Sequence, residues 1–412
     1  MRFGIPILLV ALTPTAAWAQ GRTGGATQAQ QAVQKADTAF AEKRMKDAIR
    51  LYIQALGFDQ NLTAAYEKLA IAYYATRQYR MAVPKLQQCI RVAPTFAKCH
   101  LWLGMHKIKL KQRSSGYRHL LDAIKQDWKL PLAMRRLAVY FYKKGNWRRA
   151  EKAAWTFLKF RDKAWPKKVD FPMHVLLGRA YLKMEEYPAA MTQFSKALKI
   201  KSRSRGAKLG LADAYIGRGY FNDALNLYLG LKSMWAKRPQ IHFNLARCFY
   251  RLRRKDKALE HLQRYRAKRP GDIQAVILQG DIHFFFKEFG PALSAYKKAT
   301  VQAPNLADAQ IKYANALLAT KKSSKAYRIL TAAKKRWPNN AKVLVALGDA
   351  QYQLKRYKES IQTLTELLAV KPRSLRARLL RGNAYLKAKQ LGKAVVDFRQ
   401  ARKLRPGSGK AK

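Results

Sequence analysis

An all-α chain arranged as an array of paired helices, an α-solenoid, is predicted by three observations on the sequence. Small residues recur every 34 positions at two places in each period, large apolar residues surround them at helical spacing, and proline recurs near the period's end. Residues 171–204 show the unit. Numbered 1 to 34, this segment carries Leu177 at position 7, Gly178 at 8, Tyr181 at 11, Tyr187 at 17, Ala190 at 20, Phe194 at 24 and Ala197 at 27. Small residues at 8, 20 and 27, with large apolar ones at 7, 11, 17 and 24, describe two short amphipathic helices in close contact. Pro188 marks the first turn of the second helix.

Further copies fix the architecture. Forward from residue 171, position 8 reads Ala212, Ala246, Gly280, Ala314, Gly348 and Gly382, and position 20 reads Ala224, Ala258, Ala292, Ala326, Ser360 and Ala394. Position 32 becomes Pro270, Pro304, Pro338, Pro372 and Pro406, a residue that stops helices. Backward, the frame shifts by six residues and then holds, with Ala138, Gly104, Ala70 and Ala36 at position 8 and Ala150, Gly116, Ala82 and Ala48 at position 20. Four repeats over 29–164, an insert at 165–170 and seven repeats over 171–408 follow from this count.

This pattern resembles the tetratricopeptide repeat (TPR), in an exported bacterial form, from Ala29 to Gly407. The resemblance implies a right-handed superhelix of helix-turn-helix units, about eleven of them, whose concave face is lined by the first helix of each repeat at positions 2, 5, 9, 12 and 13. Departures from the pattern include Arg113, Lys255 and Ser323 at the aromatic position 17, and Phe157 and Tyr265 at the small position 27. Those units are expected to pack less closely.

In chain order, residues 1–19 read as a secretory signal. Arg2 is the basic start, Ile5 to Leu12 the short apolar run and Ala17-Trp18-Ala19 the cleavage signature, with the cut before Gln20 and a periplasmic or otherwise exported product. No later stretch is apolar enough to span a bilayer, so the mature chain has no expected transmembrane segment. Residues 20–28 read as a flexible leader. In the insert, Pro166 and the nearby Trp155 and Trp165 suggest a packed corner. Pro131, Pro172, Pro188 and Pro291 fall at expected helix starts, whereas Pro84 lies about a turn inside its helix. The array ends at 408 with a basic tail, 409–412, and Val395, Val396 and Leu404 belong to the last repeat's apolar face.

Enzyme chemistry has no sequence signature here. The seven histidines are scattered, without an i, i+4 pair, and the sequence lacks a phosphate-binding loop, a nucleophile elbow and a Gly-rich strand-to-helix turn. No catalytic residue, metal site or cofactor is assigned. Cys89, Cys99 and Cys248 occupy helix positions, and spacing alone leaves open whether Cys89 and Cys99 pair.

Two surfaces are candidates for binding. In repeats two to four, Tyr74, Met105, Ile108, Val139 and Tyr142, bordered by Lys109, Arg135 and Lys143, make an apolar and aromatic stripe suited to a protein segment with apolar anchors and acidic flanks. Burial of this stripe by tight curvature is the alternative. In the last seven repeats, position 9 alternates Arg179, Asp213, Arg247, Asp281, Asn315, Asp349 and Asn383, which predicts a hydrogen-bonded ladder between neighbours.

The second surface follows from charge. The chain holds 83 Lys and Arg against 24 Asp and Glu, a net charge of +59, much of it in the turns between paired helices: Arg253, Arg254, Lys321, Lys322, Lys355 and Arg356 are the candidate polyanion contacts. The sequence therefore reads as a non-enzymatic envelope scaffold for a protein partner. Its alternative is a binder of anionic polysaccharide or lipid surface, with nucleic acid a candidate only for a chain that is not exported.

Overall fold

The computed structural model describes residues 25–236 and 238–404. Among them are 22 α-helices and two short 3-10 turns, with no strand. The chain divides into two compact units at Tyr220 and Phe221. The first holds α1 (Gly25–Ala41), α2 (Met45–Phe58), α3 (Thr63–Ala75), α4 (Tyr79–Val92), α5 (Ala97–Lys109), α6 (Arg113–Gln126), α7 (Pro131–Lys143), α8 (Trp147–Phe160), α9 (Phe171–Lys183), α10 (Tyr187–Ile200) and α11 (Arg205–Arg218). The second holds α12 (Phe221–Leu229), α13 (Gln240–Arg251), α14 (Lys255–Lys268), α15 (Ile273–Phe285), α16 (Phe289–Gln302), α17 (Ala307–Ala319), α18 (Ser323–Arg336), α19 (Ala341–Gln353), α20 (Tyr357–Val370), α21 (Leu375–Lys387) and α22 (Leu391–Lys403).

These are the two helices of each of the eleven predicted repeats. Within each unit every helix packs on its neighbour in the chain, and first helices also meet the first helix of the next repeat, as α3 meets α5 and α17 meets α19. Burial is spread along each stack, as a repeat array requires. Ala36, Ala70, Ala138, Ala212, Ala246 and Ala314 at position 8 are at most 2% exposed. Their small side chains let the paired helices approach. Repeat three goes further, with glycine at both close positions: a Cβ on Gly116 would stand 2.9 Å from the Gly104 carbonyl oxygen and 2.7 Å from Ile108 Cγ1. The α5–α6 pair is therefore in contact backbone to backbone.

One turn geometry repeats throughout. Position 15 has positive φ in every repeat: Lys43, Arg77, Lys111, Gly145, Glu185, Gly219, Arg253, Lys287, Lys321, Lys355 and Lys389. The next amide reaches back five residues, as Arg44 N–H does to the Ala39 carbonyl and Arg356 N–H to the Gln351 carbonyl, closing a Schellman motif that satisfies the first helix's last carbonyls.

Outside the regular repeats, some segments depart from expectation and others meet it. Helix α1 begins at Gly25, so the end of the expected leader, 25–28, is helical, with Gln28, a good helix former, leading to the buried Ala29. The expected signal, 1–19, and tail, 409–412, lie outside the described residues. The second helix of repeat six stops at Leu229: Gly230 follows, and a 3-10 turn, Lys232–Met234, replaces the last helical turn. The insert is packed, with Val169 4% exposed, Trp165 against Phe157, and Arg161 paired to Asp170 at 2.5 Å. Cys89 of α4 and Cys99 of α5 form a disulfide with Cα atoms 6.2 Å apart, a pairing that only the approach of adjacent helices could decide.

Candidate functional site

The predicted groove is partly core. Tyr74, at the end of α3, is 8% exposed and lies edge-on to Tyr79, Trp102 and His106, with ring centroids 5.5, 5.7 and 5.5 Å away. Met105 is 1% exposed and cannot line a surface. Burial by curvature is thus the outcome for these two, because Arg135 and Arg136 of α7 reach across α5 to the neighbourhood of the Tyr74 hydroxyl. Ile108, Val139 and Tyr142 remain half-buried, with Tyr142 resting on Trp147, and Lys109 and Lys143 are exposed.

What the structure brings together is a basic and aromatic cluster. Lys109 Nζ sits 5.4 Å above the Tyr74 ring and 5.7 Å above Tyr79, and the Arg135 guanidinium lies 5.9 Å over Phe157, which is fully buried at its small-residue position. Burial, then Arg136, pulls the Arg135 pKa down; burial, then Arg136 and Arg77, does the same for Lys109. Tyr117, stacked on Tyr140 with centroids 4.2 Å apart, adjoins Arg136 and Arg113. Arg77, Lys109, Arg113, Arg135 and Arg136 make no ion pair within the described residues. The Tyr74 hydroxyl is buried with Arg136 facing it as a donor and no acceptor for its own proton. Arg136 was not among the sequence candidates, although its position 6 carries a signal that the other repeats reveal.

Asp281 and Asp349 are not held by the expected position 9 ladder. Asp281 accepts from Lys312 at 2.7 Å, a position 6 lysine on the next first helix, and from the Tyr296 hydroxyl at 2.7 Å. Asp37 repeats the arrangement with Lys68 at 2.5 Å and Tyr52 at 2.6 Å. Asp349 instead meets Arg376 at 3.4 Å. Residues at equal positions on neighbouring helices are offset by the tilt between them, so in Asp37, Asp281 and Asp349 position 9 faces position 6 or 2 of the next repeat.

The predicted basic edge is exposed at Arg253, Arg254, Lys321, Lys322, Lys355 and Arg356. Three of these are the left-handed residues of their turns, with φ of 60°, 58° and 60° at Arg253, Lys321 and Lys355. Arg356 is partly engaged, 3.5 Å from Glu359 and 4.8 Å over the Tyr327 ring. The histidine pairs have no signature in the linear sequence, because positions 4 and 23 meet only across the two helices. His100 and His119 approach at 3.4 Å, His242 and His261 at 2.9 Å, and His174 meets Gln193 at 2.8 Å. With Asp122, the first pair has the donor set and spacing for a cation. Lys107 argues against it: its ammonium donates a hydrogen bond to His119 Nε2 at 3.2 Å, which leaves the ring's own hydrogen on Nδ1, facing His100.

Among the described residues, stacked helix pairs with a shared turn define the class: an all-α solenoid. Two profiles, each described as Tetratricopeptide repeat, match the sequence, one at 209–273, 314–369 and 345–409 and the other at 171–203. The chain belongs to the tetratricopeptide repeat family. No curated protein matches it. Among solved structures it is similar to yeast Tom70, at 16% identity over 92% of each chain with a TM-score of 0.39. It is also similar to MamA from Desulfovibrio magneticus RS-1, at 17% identity over 42% of this chain and 97% of that one, with a TM-score of 0.38. Among the described residues no helix is long and apolar enough to cross a membrane.

Proposed function

We propose that this TPR protein is a non-enzymatic scaffold that holds a segment of a protein partner against the first helices of repeats two to four. The observation that carries the reading is the half-exposed apolar row of Ile108, Val139 and Tyr142 beside cations without counter-charges. We place its work in the bacterial envelope, a reading supported by the signal-like start and by the Cys89–Cys99 bridge, since disulfides persist in oxidising compartments. A photo-crosslinking residue at Val139 tests the groove. Partner adducts should form there and not at Val301, which is 72% exposed but outside this face. Equal labelling at both sites would refute it.

A second reading, adhesion to an anionic polymer along the turns, is favoured by the left-handed cations. Glycine suits such a turn best, and a side chain there costs about 1 kcal/mol. Eight of the eleven positions carry Lys or Arg nonetheless. Binding through this edge would weaken steeply with salt, whereas groove binding would change modestly.

A further inference from the structure

Three repeats carry a cation at position 6: Lys68, Arg136 and Lys312. Two of them have an acid waiting at position 9 of the preceding repeat. Lys68 pairs with Asp37 at 2.5 Å and Lys312 with Asp281 at 2.7 Å, and in each case a tyrosine hydroxyl completes the acid's coordination. The third, Arg136, has Met105 in that place. Its neighbours increase the imbalance, since Arg135, Lys109, Arg77 and Arg113 also lack an acidic partner, and like charges gathered in a partly desolvated site repel one another. A hydrogen-bonding group is present as well: the Tyr74 side chain is 8% exposed, its hydroxyl proton has no acceptor, and the Arg136 guanidinium faces the hydroxyl as a donor with Arg135 beside it. A buried donor left without an acceptor is costly, and it points to a group that arrives from outside.

We propose that the missing acid is supplied in trans: a carboxylate on an acidic peptide segment of the partner enters beside Arg135 and Arg136 and accepts a hydrogen bond from the Tyr74 hydroxyl, as the aspartates do in the complete sites. The inference rests on the groove reading above and specifies its chemistry. Guanidinium groups suit a carboxylate through paired N–H donors, and Lys109 adds charge at the mouth. The apolar neighbours Ile108 and Val139 favour a peptide over a sugar polymer, because side chains that alternate acidic and apolar can use both features.

The test uses the full chain and a short peptide alternating Glu and Leu, its Gln/Leu counterpart, polygalacturonate and inorganic phosphate, at one ionic strength. The Glu peptide should bind at least about ten-fold more tightly than the Gln peptide, in keeping with a charge-assisted contact. Arg135→Gln with Arg136→Gln should erase that difference, and Tyr74→Phe should weaken the Glu peptide by roughly three-fold, the loss of one hydrogen bond. The Lys321→Gln, Lys322→Gln variant should match the unaltered protein. Without ligand, Arg136→Gln should keep or raise the unfolding temperature, because it removes repulsion; a marked fall would make Arg136 a structural residue and overturn the assignment. Equal binding of the Glu and Gln peptides would sink the acid inference while leaving the groove reading intact. Binding of neither would sink both. If polygalacturonate or phosphate binds more tightly than the Glu peptide, and loses that advantage in the arginine variant, the peptide is the wrong source of the anion.

Discussion

Gly116→Ala isolates the packing that sets the curvature under the groove. The new methyl would lie 2.7 Å from Ile108 Cγ1, 2.9 Å from the Gly104 carbonyl oxygen and 3.0 Å from the Ile108 amide nitrogen. Two of these three atoms are backbone, so relief requires α5 and α6 to separate. Overpacking of this kind costs about 1–3 kcal/mol, against a gain of about 1 kcal/mol for placing alanine in a helix, leaving a net loss of up to about 2 kcal/mol. Gly57→Ala is the matched control. It also lies within a helix, but its added methyl meets nothing within 4 Å, so it should stabilise by up to about 1 kcal/mol. Native-state hydrogen exchange is the appropriate assay, because a repeat array opens locally and a single global unfolding energy is ill defined. Amides of α5 and α6 should exchange about ten-fold faster in Gly116→Ala, the equivalent of 1.4 kcal/mol, with α1 and α2 unchanged. Should Gly116→Ala protect these amides as Gly57→Ala protects its own helix, the backbone contact does not govern this pair.

Four further outcomes are expected. His106, His119 and His261 have pKa values lowered to about 4, in each case chiefly by burial. Between the unfolded value near 6.5 and about 4 the unfolded chain binds the extra protons, so stability is intact above that window and is lost as pH falls through it. The fully buried His106 contributes on the order of 3 kcal/mol. Unfolding temperatures should therefore drop from neutral pH toward pH 4, and His106→Gln should flatten the slope. Reducing Cys89–Cys99 reopens a loop with a sequence separation of 10 and should cost about 2.5–3 kcal/mol, measured as faster exchange in α4 and α5; no change would mean that the bridge adds no constraint. Asp397, 1% exposed, accepts from Arg381 at 2.7 and 2.8 Å and from Arg378 at 3.4 Å. Asp397→Ala should loosen α21 and α22 by about 3 kcal/mol, with protease cleavage confined to the last repeat. Lys321→Gly and Lys355→Gly should each slow local exchange by up to about 1 kcal/mol while weakening polyanion binding, a divergence that a purely structural turn residue would not show.

The sequence by itself determined the elements and their pairing. Positions 8, 20 and 32 lie within one period, so the contacts that make a helix pair depend on side chains at most 34 residues apart and appear as a repeating pattern of size and polarity. Lys109 and Arg135 were legible as borders of a groove for the same reason. Contacts between repeats two steps apart were decided by the tertiary structure. Arg136 of α7 comes beside the Tyr74 hydroxyl of α3 because small differences in helix approach, such as the glycine contact of α5 and α6, accumulate into curvature. That curvature made Met105 core, whereas His100 meets His119, and Cys89 meets Cys99, through the packing of helices adjacent in the chain. The sequence names the residue at each position, but an unmet charge exists only where packing sets a cation against a methionine in a place where other repeats supply an acid.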